Sequence, residues 1–273
     1  MSRSATRRRS TVAGVAAAVA VTGTAAAPAG GRITEYPRDP SATPLARAIA
    51  DEGRIVRRAV FSALPPSSKP AAVSTTRLGG FPRSGKAYAI LSTGNARYAD
   101  NANTSQYTGA ESRGPSIRGA RDVVIMRIDL RVPRGANCLS FRFRFLSEEF
   151  PEFVQDIYND AFIAELDISN WDASSKEDPT ITAPRNFARA GNGRPIRVNA
   201  VGPTALTAFR ARGTTYDGAT QVLRASTRIS PGLHRLYLSI FDQGDRVYDS
   251  AVFIDKLIVG RRSSCATGAV VER

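Results

Sequence analysis

Met126, Ile128, Leu130 and Val132 alternate with Arg127, Asp129 and Arg131, and Leu139, Phe141, Phe143 and Phe145 alternate with Ser140, Arg142 and Arg144. A period of two puts successive side chains on opposite faces of an extended chain, so each run is a strand with one apolar and one wet face. Residues 133–137, between them, have the Pro, Gly and Asn content of a hairpin loop. Further strands are expected at 88–91, 161–166, 196–201, 221–225, 233–241 and 251–259. So many strands joined by loops define an all-β chain, a β-sandwich or jelly-roll-like domain. Helical spacing occurs once, in Leu45, Ala48, Ile49, Glu52, Ile55, Val56, Ala59 and Val60. Thr43 is a candidate N-cap there and Pro44 a first helical residue. Gly53 interrupts this pattern, which predicts a short N-terminal helix followed by a strand.

The chain of 273 residues is long enough to bury one large core. Its first 29 residues have three parts. Arg3, Arg7, Arg8 and Arg9 are basic, residues 11–21 are apolar, and Ala27 and Ala29 are small residues placed for a peptidase. That order reads as a secretory signal peptide cut before Gly30, so the expected location is extracellular, in a bacterium. Residues 30–42 read as a linker, 43–260 as the sandwich and 261–273 as a C-terminal tail, and no stretch of the mature chain is apolar enough to span a bilayer. Without the leader's arginines the chain keeps 34 basic and 24 acidic residues, a charge of +10. The arginines are scattered, and no basic run alternates with aromatics as a groove for single-stranded nucleic acid requires. Nucleic acid is therefore not an expected partner. In an exported chain the two cysteines, Cys138 and Cys265, are expected to pair. Two cysteines and one histidine, His234, do not make a Cys/His zinc site, and His234 lacks a G-x-S-x-G partner for serine hydrolysis.

Acids gather at strand ends, where loops carry functional groups. Glu148 and Glu149 follow one strand, Asn159 and Asp160 precede another, Asp217 lies in a Y-D-G-x-T turn, and Asp242, Asp245 and Asp249 fill one loop. Three readings stand. As calcium ligands they supply the carboxylate and amide oxygens that Ca²⁺ takes from loops, and Asp242-x-Gly244-Asp245 is short enough to bend around an ion. As a glycosidase pair, two of them act as acid and nucleophile, although Trp171 is a single tryptophan where a sugar platform uses several. As structural residues they cap turns, with Glu148 and Glu149 paired to Arg142 or Arg144.

Four ordered motifs add a resemblance. They are Leu91-Ser92-Thr93-Gly94-Asn95-Ala96, the block from Phe143 through Ser147-Glu148-Glu149-Phe150-Pro151-Glu152-Phe153 closing on Asn159-Asp160-Ala161-Phe162, Tyr216-Asp217-Gly218-Ala219-Thr220, and the Asp242 to Phe253 hairpin. In that order they resemble the choice-of-anchor L domain family of bacterial exported proteins, from about Thr43 to Val259. Leu146 departs from the small residue often found there, and residues 270–273 carry no sorting motif. The resemblance implies an extracellular β-sandwich without an established reaction. The expected function is a secreted, non-catalytic binding or adhesion module stabilised by Ca²⁺, its partner a cell-surface or matrix component such as a polysaccharide. The alternative is a carbohydrate-binding module or hydrolase of jelly-roll type.

Overall fold

A computed structural model describes residues 31–36, 41–66, 69–104, 114–174 and 180–272. The expected signal peptide lies outside the described residues. From the N-terminus come β1 (Ile33–Glu35), helix α1 (Thr43–Ile49), β2 (Val56–Ala63), β3 (Ala71–Ser74) and β4 (Tyr88–Ser92). The long strands β5 (Arg121–Val132) and β6 (Cys138–Ser147) follow, then β7 (Ala161–Leu166) and β8 (Ile196–Arg197). After helix α2 (Ala208–Ala211) come β9 (Gly218–Ala219), β10 (Leu223–Arg228), β11 (Gly232–Asp242), β12 (Ser250–Gly260) and β13 (Gly268–Val271).

These strands form two antiparallel sheets. The first runs β1-β3-β4-β12-β6-β10-β13 with β9 beside β6, and the second β2-β5-β11-β7-β8. The two alternating runs fall in different sheets, β5 in the second and β6 in the first. Their apolar faces meet in one core, where Phe141, Phe143 and Phe145 face Met126, Ile128, Leu130, Phe162 and Leu238. Ring centroids of Phe143 and Phe162 are 5.0 Å apart across the sheets. Complete burial of one such ring stabilises the fold by about 1.5–3 kcal/mol.

Two smaller clusters cover the sheets' outer faces. Tyr88, Ile90 and Phe253 pack with Phe81 and Tyr216 outside the first sheet. Val123, Ile125 and Ile163 pack with Trp171 and Phe241 outside the second. Strands covered on both faces need apolar residues on both, so β4 is buried at every position instead of alternating.

Four expectations are corrected. The expected linker contributes β1, which pairs with β3, and the expected tail contributes β13, which pairs with β10. Chain contacts accordingly define one unit over Gly31–Arg273. Thr43 does not cap α1. Its hydroxyl instead accepts from the Ala59 amide at 2.9 Å, tying the helix to β2. The strand expected at 196–201 shrinks to Ile196–Arg197. Cys138 and Cys265 are bonded, with Cα atoms 5.7 Å apart, which fastens the segment before β13 to the start of β6. Among the described residues, no helix is long and apolar enough to cross a membrane.

Candidate metal centre

Antiparallel pairing sets the end of one strand beside the start of the next. Ser147, the last residue of β6, pairs with Ser250, the first of β12. Phe241 near the end of β11 pairs with Ala161, the first of β7. The acidic segments flanking these strands therefore meet at one end of the sandwich. Glu148 and Glu149 lie just past β6, Asp249 just before β12, Asp160 just before β7, and Asp242 ends β11. All five are buried, none more than 5% exposed.

Local hydrogen bonds hold the acids there. The Ser147 hydroxyl accepts from the Glu149 amide at 3.0 Å, turning the chain inward after β6. The Glu148 amide donates to the Asp249 carbonyl at 3.0 Å, and the Asp249 amide donates to Glu148 Oε2 at 3.3 Å. Asp160 joins the two sheets, for its carboxylate accepts from the Ser250 hydroxyl at 2.7 Å and from the Gln243 amide at 3.0 Å. Phe153 contacts both Tyr158 and Tyr248, at 5.2 and 5.0 Å between centroids, binding the 148–160 loop to the 243–249 loop.

Two glycines are required by close approach. A Cβ at Gly94 would stand 2.0 Å from Asp249 Oδ2. Gly244 has φ +108°, and a Cβ there would meet the Tyr158 ring at 2.7 Å. These are the glycines of the L-S-T-G-N-A and D-x-G-D motifs, which thus encode room for the acid centre.

The centre gathers carboxyl groups without cationic partners. Among the described residues no Arg or Lys forms an ion pair with Glu148, Glu149, Asp160 or Asp242. The reading that pairs Glu148 and Glu149 with Arg142 or Arg144 fails on geometry. Arg142 pairs with Glu272, and Arg144 donates to the Arg210 carbonyl at 3.1 Å. Neither oxygen of Asp242 meets a donor in hydrogen-bonding geometry, nor do Glu148 Oε1 and Glu149 Oε2.

Burial pushes the Glu148 carboxyl up to about 9, with Asp249 adding repulsion. Glu149 is held well above the usual range by burial and then by Asp160 and Asp245. Asp242 is raised likewise, by burial and then by Asp160 and Asp249, against a smaller opposing pull from the nearby Thr93 hydroxyl. Burial also raises Asp160, to about 7, against the hydrogen bonds that favour its charge.

The other expected ligands stand at the rim or are engaged elsewhere. Asn159 is buried, but its side-chain oxygen accepts from the Asn199 amide at 2.9 Å. Asp217 accepts from Asn103 at 2.7 Å and lies near enough to raise Glu148. Asp245 is half-buried and turns its own loop, accepting from the Val247 amide at 3.0 Å. Asp122 was not anticipated. It is 4% exposed, stands second in β5 in a left-handed conformation and raises Asp242 further. Its only sequence signal is an acid just before the apolar run at Val123.

As the side chains stand, no three His, Cys, Asp or Glu among the described residues close on one point as a metal-ligand set. The donors gathered are all oxygens, from carboxylates and from the hydroxyls of Thr93, Ser147 and Ser250, which suits a hard cation rather than zinc. Glu148, Glu149, Asp160 and Asp242 are at most 1% exposed, so no sugar ring reaches them as a glycosidase pair requires. Trp171 is no sugar platform either, since it is 1% exposed and stacks on Phe241 at 4.2 Å.

Two antiparallel sheets with carboxyl groups gathered where their strands end define an all-β sandwich module. Within that class, the chain belongs to the choice-of-anchor L domain family, whose model matches residues 76–257. That span holds all four motifs and all the acids of the centre, and the family is one associated with bacterial cell-surface proteins. No curated protein matches the chain. A solved structure of TmCBM61 in complex with β-1,4-galactotriose is similar at 9% identity and a TM-score of 0.32, covering 84% of this chain and 99% of that one. A likeness that weak carries no argument about ligands.

Proposed function

We propose that this domain is a secreted, non-catalytic binding module of the bacterial cell surface or matrix, and that its carboxylate centre takes one calcium ion. The observation that carries the calcium reading is Asp242, buried at 1% exposure, with neither oxygen meeting a donor in hydrogen-bonding geometry and crowded by the carboxyls of Asp160 and Asp249. Holding such charges together out of water is costly unless a cation joins them. Glu148, Glu149, Asp160, Asp242 and Asp249 are the proposed ligands, with Asp245 at the rim. Ca²⁺ accepts six to eight oxygens in flexible geometry, which matches a mixed set drawn from several loops better than the strict octahedron of Mg²⁺. Because the ligands come from both sheets, the ion would act on the fold as a whole. The basic, apolar and small-residue order of residues 1–29 supports export of the module.

The test is terbium luminescence on chelator-stripped protein. Trp171 stacks on Phe241, the neighbour of Asp242, and is placed to sensitise an ion bound at the centre. Terbium emission excited through tryptophan, displaced by Ca²⁺ and abolished in Asp242→Asn, is the expected result. Absence of emission together with no calcium retained in elemental analysis of the native protein would refute the reading.

A further inference from the structure

At the other end of the second sheet a second polar feature faces solvent. The acid centre lies at the start of β5 and the end of β11, whereas Asp129, Arg131, His234 and Arg235 lie at the opposite ends of those strands. Between them runs an open groove of about 610 Å³ on the sheet's outer face, walled by Arg57, Arg58 and Arg235.

The backbone concentrates arginine there. Strict alternation in β2 would send only one of Arg57 and Arg58 outward. The pairing of β2 with β5 shifts between Val56 and Arg58, and at this bulge both arginines are exposed between buried Val56 and Ala59. Register then places Arg58 opposite Asp129 and Asp129 opposite Arg235. Arg58 and Arg235 thus stand two strands apart, about 10 Å by the spacing of a sheet.

The acids lining the groove are already engaged. Asp129 binds Arg58 at 2.6 Å and pairs with Arg127 at 3.1 Å. Asp167 faces His234 at 2.9 Å and accepts from the Arg235 amide at 3.0 Å. Among the described residues, no carboxylate pairs with the guanidinium of Arg57, Arg131 or Arg235. Leu233, which lies opposite Arg131, is 63% exposed on the same surface.

Resting on the surface-module reading and independent of the calcium centre, we propose that this groove binds a uronic-acid polysaccharide. Guanidinium groups present paired donors that match a carboxylate. A uronate unit carries that carboxylate on a ring whose C–H face suits Leu233, and a disaccharide covers the roughly 10 Å between β2, which carries Arg57, and β11, which carries Arg235. A polyol phosphate or nucleic-acid backbone offers the charge without a carboxylate-bearing ring.

The experiment is titration calorimetry of the full mature chain with polygalacturonate, neutral galactan, glycerol-phosphate teichoic acid and DNA, at low and high salt. Expected are binding of polygalacturonate alone, weakened by salt as ion pairs are screened. Arg57→Ala/Arg235→Ala should bind about tenfold or more weakly with an unchanged melting temperature. Arg212→Ala, on the side of the first sheet, should bind as the wild type does. Polygalacturonate bound equally well by the double variant overturns the groove and leaves the surface module standing. Tighter binding of galactan, teichoic acid or DNA overturns the uronate assignment, and binding of none of the four overturns the groove together with the module's role as a polysaccharide binder.

Discussion

Glu148→Gln should stabilise the protein without calcium and destabilise it with calcium, a reversal that few substitutions show. The Glu148 carboxyl titrates at about 9 in the folded chain against an ordinary value of 4.5. A folded-state value above the unfolded one means that the native state holds the proton more tightly. That stability is fully present below 4.5 and is lost as pH rises towards 9. The slope approaches about 1.4 kcal/mol per pH unit, so at pH 8 the loss from this one group is about 5 kcal/mol as an upper figure. For a domain of this size, 1 kcal/mol corresponds to about 2–4 °C.

In chelator, the wild-type melting temperature should therefore fall between pH 5 and pH 8. The glutamine side chain of the variant has no proton to lose, and its amide oxygen can still accept from the Asp249 amide, so the variant should melt higher than wild type at pH 8. Calcium reverses the order. The ion binds deprotonated carboxylates, so its affinity grows with pH, and at about a ten-thousandfold excess over Kd it adds about 5.5 kcal/mol to a site with its full charge, enough to exceed the loss of about 5 kcal/mol. The assay is a set of melts across pH, with chelator and with calcium, for both proteins. A wild-type melt in chelator that is flat with pH, or a variant less stable than wild type in chelator at pH 8, would refute the reasoning.

Other outcomes follow from the same geometry. Gly94→Ala sets a Cβ against the Asp249 carboxylate and should cost about 1–3 kcal/mol of stability, with calcium affinity falling in the same preparation. Cys138→Ser/Cys265→Ser opens a covalent loop of 127 residues and should cost up to about 5 kcal/mol on the chain-entropy account, read from denaturant midpoints. N-terminal sequencing of secreted protein should begin at Gly30, and an intact Met1 on the exported chain would exclude that cleavage.

Much of the sandwich was legible because two long strands, β5 and β6, set the charged side chains of their alternating runs on one face only, and alternation survives where one face stays polar. The same logic hides β1, β3 and β13. They are three or four residues long, too short for a period to register, and their places come from pairing with neighbours far off in sequence. The acid centre was half legible. Sequence position alone puts Glu148, Asp160, Asp242 and Asp249 at strand ends, but only the pairing order decides which ends coincide. Asn159 and Asp217 carry the same signal and are drawn to backbone and side-chain partners instead. Asp122 sits next to Arg121 before an apolar run, and nothing local separates it from a surface acid. The groove arginines look scattered along the chain because a bulge and a strand register bring them together, and neither is written in composition.

The disulfide has a mechanical consequence for a module held at a cell surface. If the domain is pulled by its two ends, β1 and β13, at opposite edges of the first sheet, are the first elements in the line of force. Once β13 peels away, tension reaches Cys265 and crosses the covalent bond to Cys138. The chain between them, which spans a sequence separation of 127, is bypassed and cannot lengthen, whatever the load. Strands β6 to β12, with Glu148, Glu149, Asp160, Asp242 and Asp249, lie wholly inside that shielded loop. Extension under oxidising conditions is thus confined to the chain before Cys138 and after Cys265. A single-molecule stretching trace should show the missing contour length return when the bond is reduced.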